Sequence, residues 1–226
     1  MTDDAASGVG DADWRQRAVS RSLTAARSRA EQRVQGFLDA AFSLIDQKSS
    51  TDFTIQEVIG RSQQSLRAFY QHFNGKDELL LALFEETVRE AADDIRAAVE
   101  SETQTRPMER LHVFVIRLHE WCDPAARPRR RGSHNRLPIM DFMMRLAADH
   151  PERVKAGMAP VSTTLLELLD EAVAARAVKV PDTRHAAALI QQTVLSSWMA
   201  DRLVHNPRAR ATAEETWGFC LHGLSG

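Results

Sequence analysis

No stretch of this 226-residue chain alternates apolar and polar residues as a half-buried strand would. No apolar run approaches the ~18–20 residues that a bilayer-spanning helix needs. The start, Met1-Thr-Asp-Asp, is acidic and lacks the positive end and apolar stretch of a secretory leader, so a cytoplasmic protein is expected. Cysteine occurs only as Cys122 and Cys220, far apart and in no CxxC spacing, and the pair reads most simply as buried reduced thiols. There is no HExxH, no GxSxG, no phosphate-binding glycine loop and no Cys/His pair at a suggestive spacing. No catalytic residue, metal ligand or cofactor site is therefore assigned. His119-Glu120 and Asp149-His150 are isolated neighbours that read as surface pairs. Lysine is confined to Lys48, Lys76, Lys155 and Lys179, while arginine and alanine abound.

What remains is enough for a helical protein with a real core. Apolar residues make up 43% of the chain, and their spacing is helical almost throughout. The net charge of −2 hides an asymmetry. Residues 1–13 carry four acids and no base, residues 14–80 carry ten Lys/Arg against seven Asp/Glu, and the remainder carries 19 against 20. The positive excess is small, and it sits in the first third, where counterion release would favour a nucleic-acid partner.

Residues 1–13 lack periodicity and read as disordered. An arginine-rich stretch follows (Arg15, Arg17 and Arg21, continuing to Arg27, Arg29 and Arg33), and residues 1–26 read as a disordered or basic N-terminal arm. Those arginines are either a solvated helix start or an arm meeting phosphates or a minor groove. From about Arg27 to Gln47, Val34, Phe37, Leu38, Ala41, Phe42 and Ile45 line one helical face. Thr54 and Glu57 have the spacing of a capping box, which starts a second helix ending near Arg61 or Ser62. A third helix covers roughly Gln64 to His72, with Leu66 and Phe69 inward and Ser65 and Arg67 outward. Asn74-Gly-Lys-Asp77 then opens a long fourth helix, with Leu79, Leu83, Ile95 and Val99 on its inner side.

Further helices are expected over Pro107 to Cys122, Leu137 to Asp149, Pro160 to about Val178, Asp182 to about His205, and Thr212 to about Leu221. The last begins with a second capping box, Thr212 and Glu215. Two prolines and a glycine between Asp149 and Pro160 read as a broken connection. The fold class is all-α, organised as a helix-turn-helix domain over residues 27–78 and a helical domain over residues 79–226.

Two short helices joined by a tight turn, with contact-making side chains on the second, suit the major groove, which is about 12 Å wide. Arg67 can fork two hydrogen bonds to a guanine edge, or bond a phosphate. Tyr70 and His72 stand at the helix exit, where a phosphate is the natural partner. Lys76 lies in the first turn of the next helix, where the macrodipole favours an anion. With Thr54 and Ser65, these residues form the candidate DNA-binding set.

Residues 34–80 resemble the N-terminal domain of the tetracycline-repressor (TetR) family of transcriptional regulators. Ala40-Ala41-Phe42, Thr54 with Glu57-Val58, Ser65, and above all Phe69-Tyr70-Gln-His72-Phe73-Asn-Gly-Lys76-Asp77-Glu-Leu79 carry the resemblance. Two positions depart from it. Ile59 stands where the family has a small residue, and Gln63 where it has a turn glycine; Gly60 is a candidate to relieve the crowding at Ile59. The resemblance implies a homodimeric repressor on a palindromic DNA operator, released by a small apolar or amphipathic effector. It also implies a ligand pocket in the middle helices, for which Phe114, Leu118, Trp121, Met140, Met143, Met144 and Trp198 are candidates; His119, Glu120 and Asp141 could add polar contacts, and the Arg127–Arg131 run with Arg136 is a basic loop able to attract an anion.

One recognition helix contacts too little DNA for useful specificity, so a symmetric dimer is expected. Apolar and small residues on more than one face of the penultimate helix suggest burial on both sides. The candidate interface comprises Ile190, Thr193, Val194, Ser197, Asp201, Trp217 and Leu221. A helical carrier or protein-interaction module that never touches DNA is the competing reading, and it would have no use for Arg67, Tyr70, His72 and Lys76.

Overall fold

The computed structural model describes residues 8–101, 106–122, 137–204 and 211–225. Among them every regular element is a helix. In order these are α1 (Gly8–Lys48), α2 (Ile55–Ser62), α3 (Leu66–Tyr70), α4 (Lys76–Ser101), α5 (Pro107–Cys122), α6 (Leu137–Asp149), α7 (Pro151–Ala174), α8 (Thr183–Val204) and α9 (Ala213–Ser225). The chain divides into two compact units, Met1–Leu79 and Leu80–Gly226, with the division falling inside α4.

In the first unit α1 packs on α2, and α2 on α3. Its core is aromatic. Phe37 of α1 meets Phe69 of α3 edge to face at 5.4 Å and Phe73 at 6.2 Å, while Phe69 and Phe73 lie 5.4 Å apart. Phe37 and Phe69 are wholly buried. Such ring pairs stabilise beyond their area alone, and here they hold a five-residue helix that could not persist by itself. Arg61 adds a polar clasp between α2 and α1, donating to Ser43 Oγ and, at 2.6 Å, to Gln47 Oε1.

The helix expected from about Arg27 begins instead at Gly8. Residues 8–26, read from sequence as part of a disordered or basic arm, are helical. The physical reason is local: Gly36 is the sole glycine or proline between Asp11 and Lys48, and the stretch is rich in Ala, Arg, Gln and Leu. Side-chain pairs one turn apart, Arg27 with Glu31 at 2.8 Å and Gln35 with Asp39 at 2.8 Å, add to it.

In the second unit α5 packs against α7, α8 and α9, α7 also receives α6 and α8, and α8 meets α9. The break expected between Asp149 and Pro160 shrinks to a single residue. A lone His150 separates α6 from α7, and α7 runs straight through Pro160. Pro151 occupies the first helical position, where its missing N–H costs nothing. The glycine serves packing: a Cβ on Gly157 would lie 2.5 Å from Phe84 Cε1, so its absence lets α7 approach α4 closely. Around Pro160, Ser162 Oγ donates to the Met158 carbonyl and Thr164 Oγ1 to that of Pro160. At the other end, α9 continues to Ser225, past the stop expected near Leu221.

Candidate nucleic-acid interface

The turn that aims α3 is built from three consecutive local signals. Thr54 caps α2 as its spacing foretold: its hydroxyl accepts from Glu57 N at 3.2 Å, and Glu57 Oε2 accepts from Thr54 N at 2.8 Å. Lys48 closes on the same carboxylate at 2.8 Å. The Lys48 ammonium, then the Thr54 amide, hold the Glu57 carboxyl down to about 2. Next, Gln63 ends α2 in the left-handed conformation, φ 55° and ψ 31°. A side chain in that region costs about 1–2 kcal/mol. Gly60 has open space where a Cβ would go, so it relieves no crowding. Last, Ser65 caps α3, its Oγ accepting from Ala68 N at 3.1 Å.

The candidate DNA contacts sort into outward and inward groups. Arg67 is exposed and makes no ion pair with any described residue. Tyr70 is 54% exposed, its ring edge-on to Phe69 at 5.5 Å. Ser65 is exposed at the start of the same helix. Thr54 is also exposed, but its hydroxyl is committed to the capping box, since it also donates to Glu57 Oε2 at 3.1 Å.

His72 and Lys76 depart from the sequence reading. The Nε2 of His72 is buried with no hydrogen-bond partner, so in this conformation that nitrogen does not offer itself to a phosphate. Lys76 is half-buried, with Nζ 5.0 Å above the Phe53 ring. The start of α4 carries Asp77 and Glu78 in its first turn, and Glu78 Oε2 already accepts from Asn74 N at 2.7 Å. An anion there would meet carboxylates as well as amides.

Leu66, expected inward, is 43% exposed. In a helix of five residues one turn decides both faces, and Phe69 takes the core side. Leu66 and Tyr70, four apart, share the outer face beside Arg67. The four-residue spacing of Leu66 and Tyr70 is the signal in the sequence for this shared face.

The residues assigned to a ligand pocket lie in the second unit. Phe114, Leu118, Trp121, Met140 and Met143 are buried, whereas Met144 is 38% exposed and faces outward; the Trp198 side chain falls outside the described residues. His119 is buried, and its Nε2 lies 3.1 Å from the Ala211 carbonyl. Residues 123–136, with the arginine run, are outside the described residues. Neither Cys122 nor Cys220 is in a disulfide, and burial pushes the Cys220 thiol up.

Along α8 and α9 a cavity of about 580 Å³ is lined by Ala186, Leu189, Ile190, Thr193, Phe219 and Cys220, among others. Leu189 is 50% exposed and Phe219 71%. Of the expected interface residues, Ile190 and Thr193 line this cavity, and Ser197 and Leu221 are half-buried. Val194 is wholly buried in its own unit and so presents nothing to a partner. Trp217 packs on His112 of the same chain at 5.2 Å, where His112 also meets Glu214 at 3.1 Å. The Asp201 side chain is outside the described residues. Neither Leu189 nor Phe219 is among the interface residues expected from the sequence.

Residues 37–83 match the family model for bacterial regulatory proteins of the tetR family. Over these residues the chain is similar to the tetR family. The transcriptional regulator BetI of Brucella anthropi is 33% identical over 78 residues, which are 34% of this chain and 39% of that protein. Over its greater length the chain is similar in fold to FadR of Bacillus subtilis, solved with stearoyl-CoA (13% identity, TM-score 0.57, 85% of this chain and 97% of that one). It is likewise similar to RolR, solved with resorcinol (14% identity, TM-score 0.62, 88% and 90%). Among the described residues no helix is long and apolar enough to cross a membrane, and no group of three or more His, Cys, Asp or Glu is placed to hold a metal ion.

Proposed function

We propose that the chain is a homodimeric transcriptional repressor that reads a palindromic operator with α3 and releases it on binding a small apolar or amphipathic effector. The observation that carries this reading is the outer face of α3. A short capped helix, clamped from behind by Phe37 and Phe73, presents Arg67 and Tyr70 to solvent in a tetR-family domain. A carrier has no use for such a face. Arg67 bonds a guanine edge or a phosphate; Ser65 and Tyr70 bond phosphate, with Lys76 adding charge from beside Phe53. The exposed arginines of α1, Arg21, Arg29 and Arg33, extend the positive surface of the same unit.

The α8–α9 face, with Leu189 and Phe219 exposed beside Ile190 and Thr193, supports dimerisation through a second copy. The effector enters the second unit among Phe114, Leu118, Met140 and Met143, whose adaptable thioethers suit an apolar guest. That FadR and RolR were solved with stearoyl-CoA and resorcinol supports an effector of this kind. Effector and operator then oppose each other through one coupling free energy, each weakening the other equally.

Selection of bound duplexes from random DNA tests the reading. Enrichment of a palindrome, with affinity falling steeply in salt, is the expected outcome. A protein that enriches no sequence and ignores duplexes at low ionic strength would return the chain to the carrier reading.

A further inference from the structure

We infer that Leu66 is a specificity-determining residue that packs on the C5-methyl of a thymine in each operator half-site. The inference rests on α3 being the DNA-reading element proposed above. A single exposed leucine is ordinary on a protein surface, but the surroundings of this one are not. It is the first residue of α3, 43% exposed, directly between the Ser65 cap and Arg67. It shares a face with Tyr70, itself 54% exposed, on the side of α3 away from wholly buried Phe69. The α3 outer face is therefore apolar, cationic and aromatic in sequence, and it is held at a set angle. The Gln63 turn is fixed in the left-handed region, the Ser65–Ala68 bond caps the helix, and Gln64 Nε2 ties the turn to the Arg33 carbonyl at 2.9 Å.

In the major groove each base pair shows a different edge, and thymine alone among the four bases adds an apolar methyl. Leucine can neither donate nor accept a hydrogen bond, so guanine, adenine and cytosine edges and the phosphates offer it nothing. The thymine methyl is the one groove feature that a leucine desolvates with gain. Because Leu66 and Arg67 are adjacent on a short helix, the thymine is expected within about two base pairs of the Arg67 contact.

The experiment uses the full chain and its selected operator. Each thymine is replaced in turn, in both half-sites, by deoxyuridine, which removes the methyl and nothing else. Affinity is read by fluorescence anisotropy at one ionic strength. At one symmetry-related pair of positions the wild-type protein should lose about three- to tenfold. Leu66→Ala should lose a similar factor on the thymine operator and become indifferent to uracil at that pair. The variant alters an exposed side chain, and an unchanged helical circular-dichroism signal confirms its fold. The inference is overturned if the wild type binds its operator but responds less than about twofold to every replacement. It is also overturned if Leu66→Ala keeps the wild-type response to uracil. Failure to select any operator overturns the DNA-binding reading itself, and this inference with it; the outcomes are thus distinguishable.

Discussion

Gln64 Nε2 donates to the main-chain carbonyl of Arg33 at 2.9 Å, joining the turn before α3 to the middle of α1 across 31 positions of sequence. Beside it, the missing Cβ of Gly36 leaves room for that amide: a Cβ there would come within 2.9 Å of Gln64 Nε2. The tie and the aromatic cluster together set the angle of α3. Gly36→Ala should push the Gln64 amide off Arg33 while helix propensity in α1 improves. We expect little change in melting temperature but weaker, less sequence-selective DNA binding. Unaltered selectivity would mean that the turn holds its shape without Gln64.

Gln63 sits beside that tie at φ 55°. Gln63→Gly removes the left-handed penalty and adds unfolded-chain entropy, two terms of opposite sign. The net should be a gain of up to about 1 kcal/mol in stability of the first unit, read by urea unfolding. A loss would show that the Gln63 side chain contributes something its backbone angle does not reveal.

Gly157 gives a sharper contrast. A Cβ there would lie 2.5 Å from Phe84 Cε1 and 3.1 Å from Cδ1. Phe84 is wholly buried, so its ring has no room to retreat. Gly157→Ala should therefore destabilise by about 1–3 kcal/mol through overpacking, despite the better helix propensity of alanine. Calorimetry on the full chain measures this directly; a higher melting temperature would sink the close-approach argument.

These positions show what could be read in the residues and what could not. Capping boxes at Thr54/Glu57 and Thr212/Glu215 are complete within four residues, so sequence alone located them. Pro107–Cys122 and Leu137–Asp149 carry enough turns for their period to be unambiguous. Pro160 misled because the local rule against mid-helix proline is outweighed by packing along the whole of α7. Leu66 misled because a five-residue helix is too short for periodicity to separate its faces. Arg67 and Ser65 were legible as outward groups and Tyr70 as a helix-exit residue, whereas the buried Nε2 of His72 and the seat of Lys76 over Phe53 depend on tertiary neighbours that no spacing reports.

Glu57 supplies a pH dependence with a definite sign. Its carboxyl is held at about 2, below the ordinary 4.5, chiefly by Lys48 and the Thr54 amide. A depressed folded value means stabilisation that is complete above about 4.5 and lost as pH falls through about 2. Because the group is solvent-exposed, the effect is modest. Urea midpoints should decline across that interval, and Glu57→Gln should flatten that decline while lowering the midpoint at pH 7. An identical decline in the variant would assign the acid sensitivity to other carboxylates.

Arg67 and Lys76 should differ in how they fail. Arg67→Ala is expected to cost about 1–3 kcal/mol of operator affinity and to relax one base position if the guanidinium reads a base. A loss uniform across sequences would place it on phosphate. Lys76→Ala removes a cation held over Phe53, so it should weaken all sequences alike, flatten the salt dependence and slightly lower stability. An unchanged salt slope would confine Lys76 to the structural contact with Phe53.

Phe219, 71% exposed beside a cavity of about 580 Å³, is the place to break the proposed dimer. In the single chain it is largely free of its own core, so Phe219→Glu should leave each subunit folded. In a pair it would bury a carboxylate without a partner, which costs several kcal/mol at an interface. Leu189→Glu should act likewise, whereas Val194, wholly buried within its own unit, is unsuitable because its loss would damage the fold first. Sedimentation at micromolar concentration should show a dimer for the wild type and monomers for Phe219→Glu, with operator affinity falling because two half-sites are no longer read together. A wild-type protein that sediments as a monomer would remove the α8–α9 face from the interface and leave its exposed apolar residues to another partner.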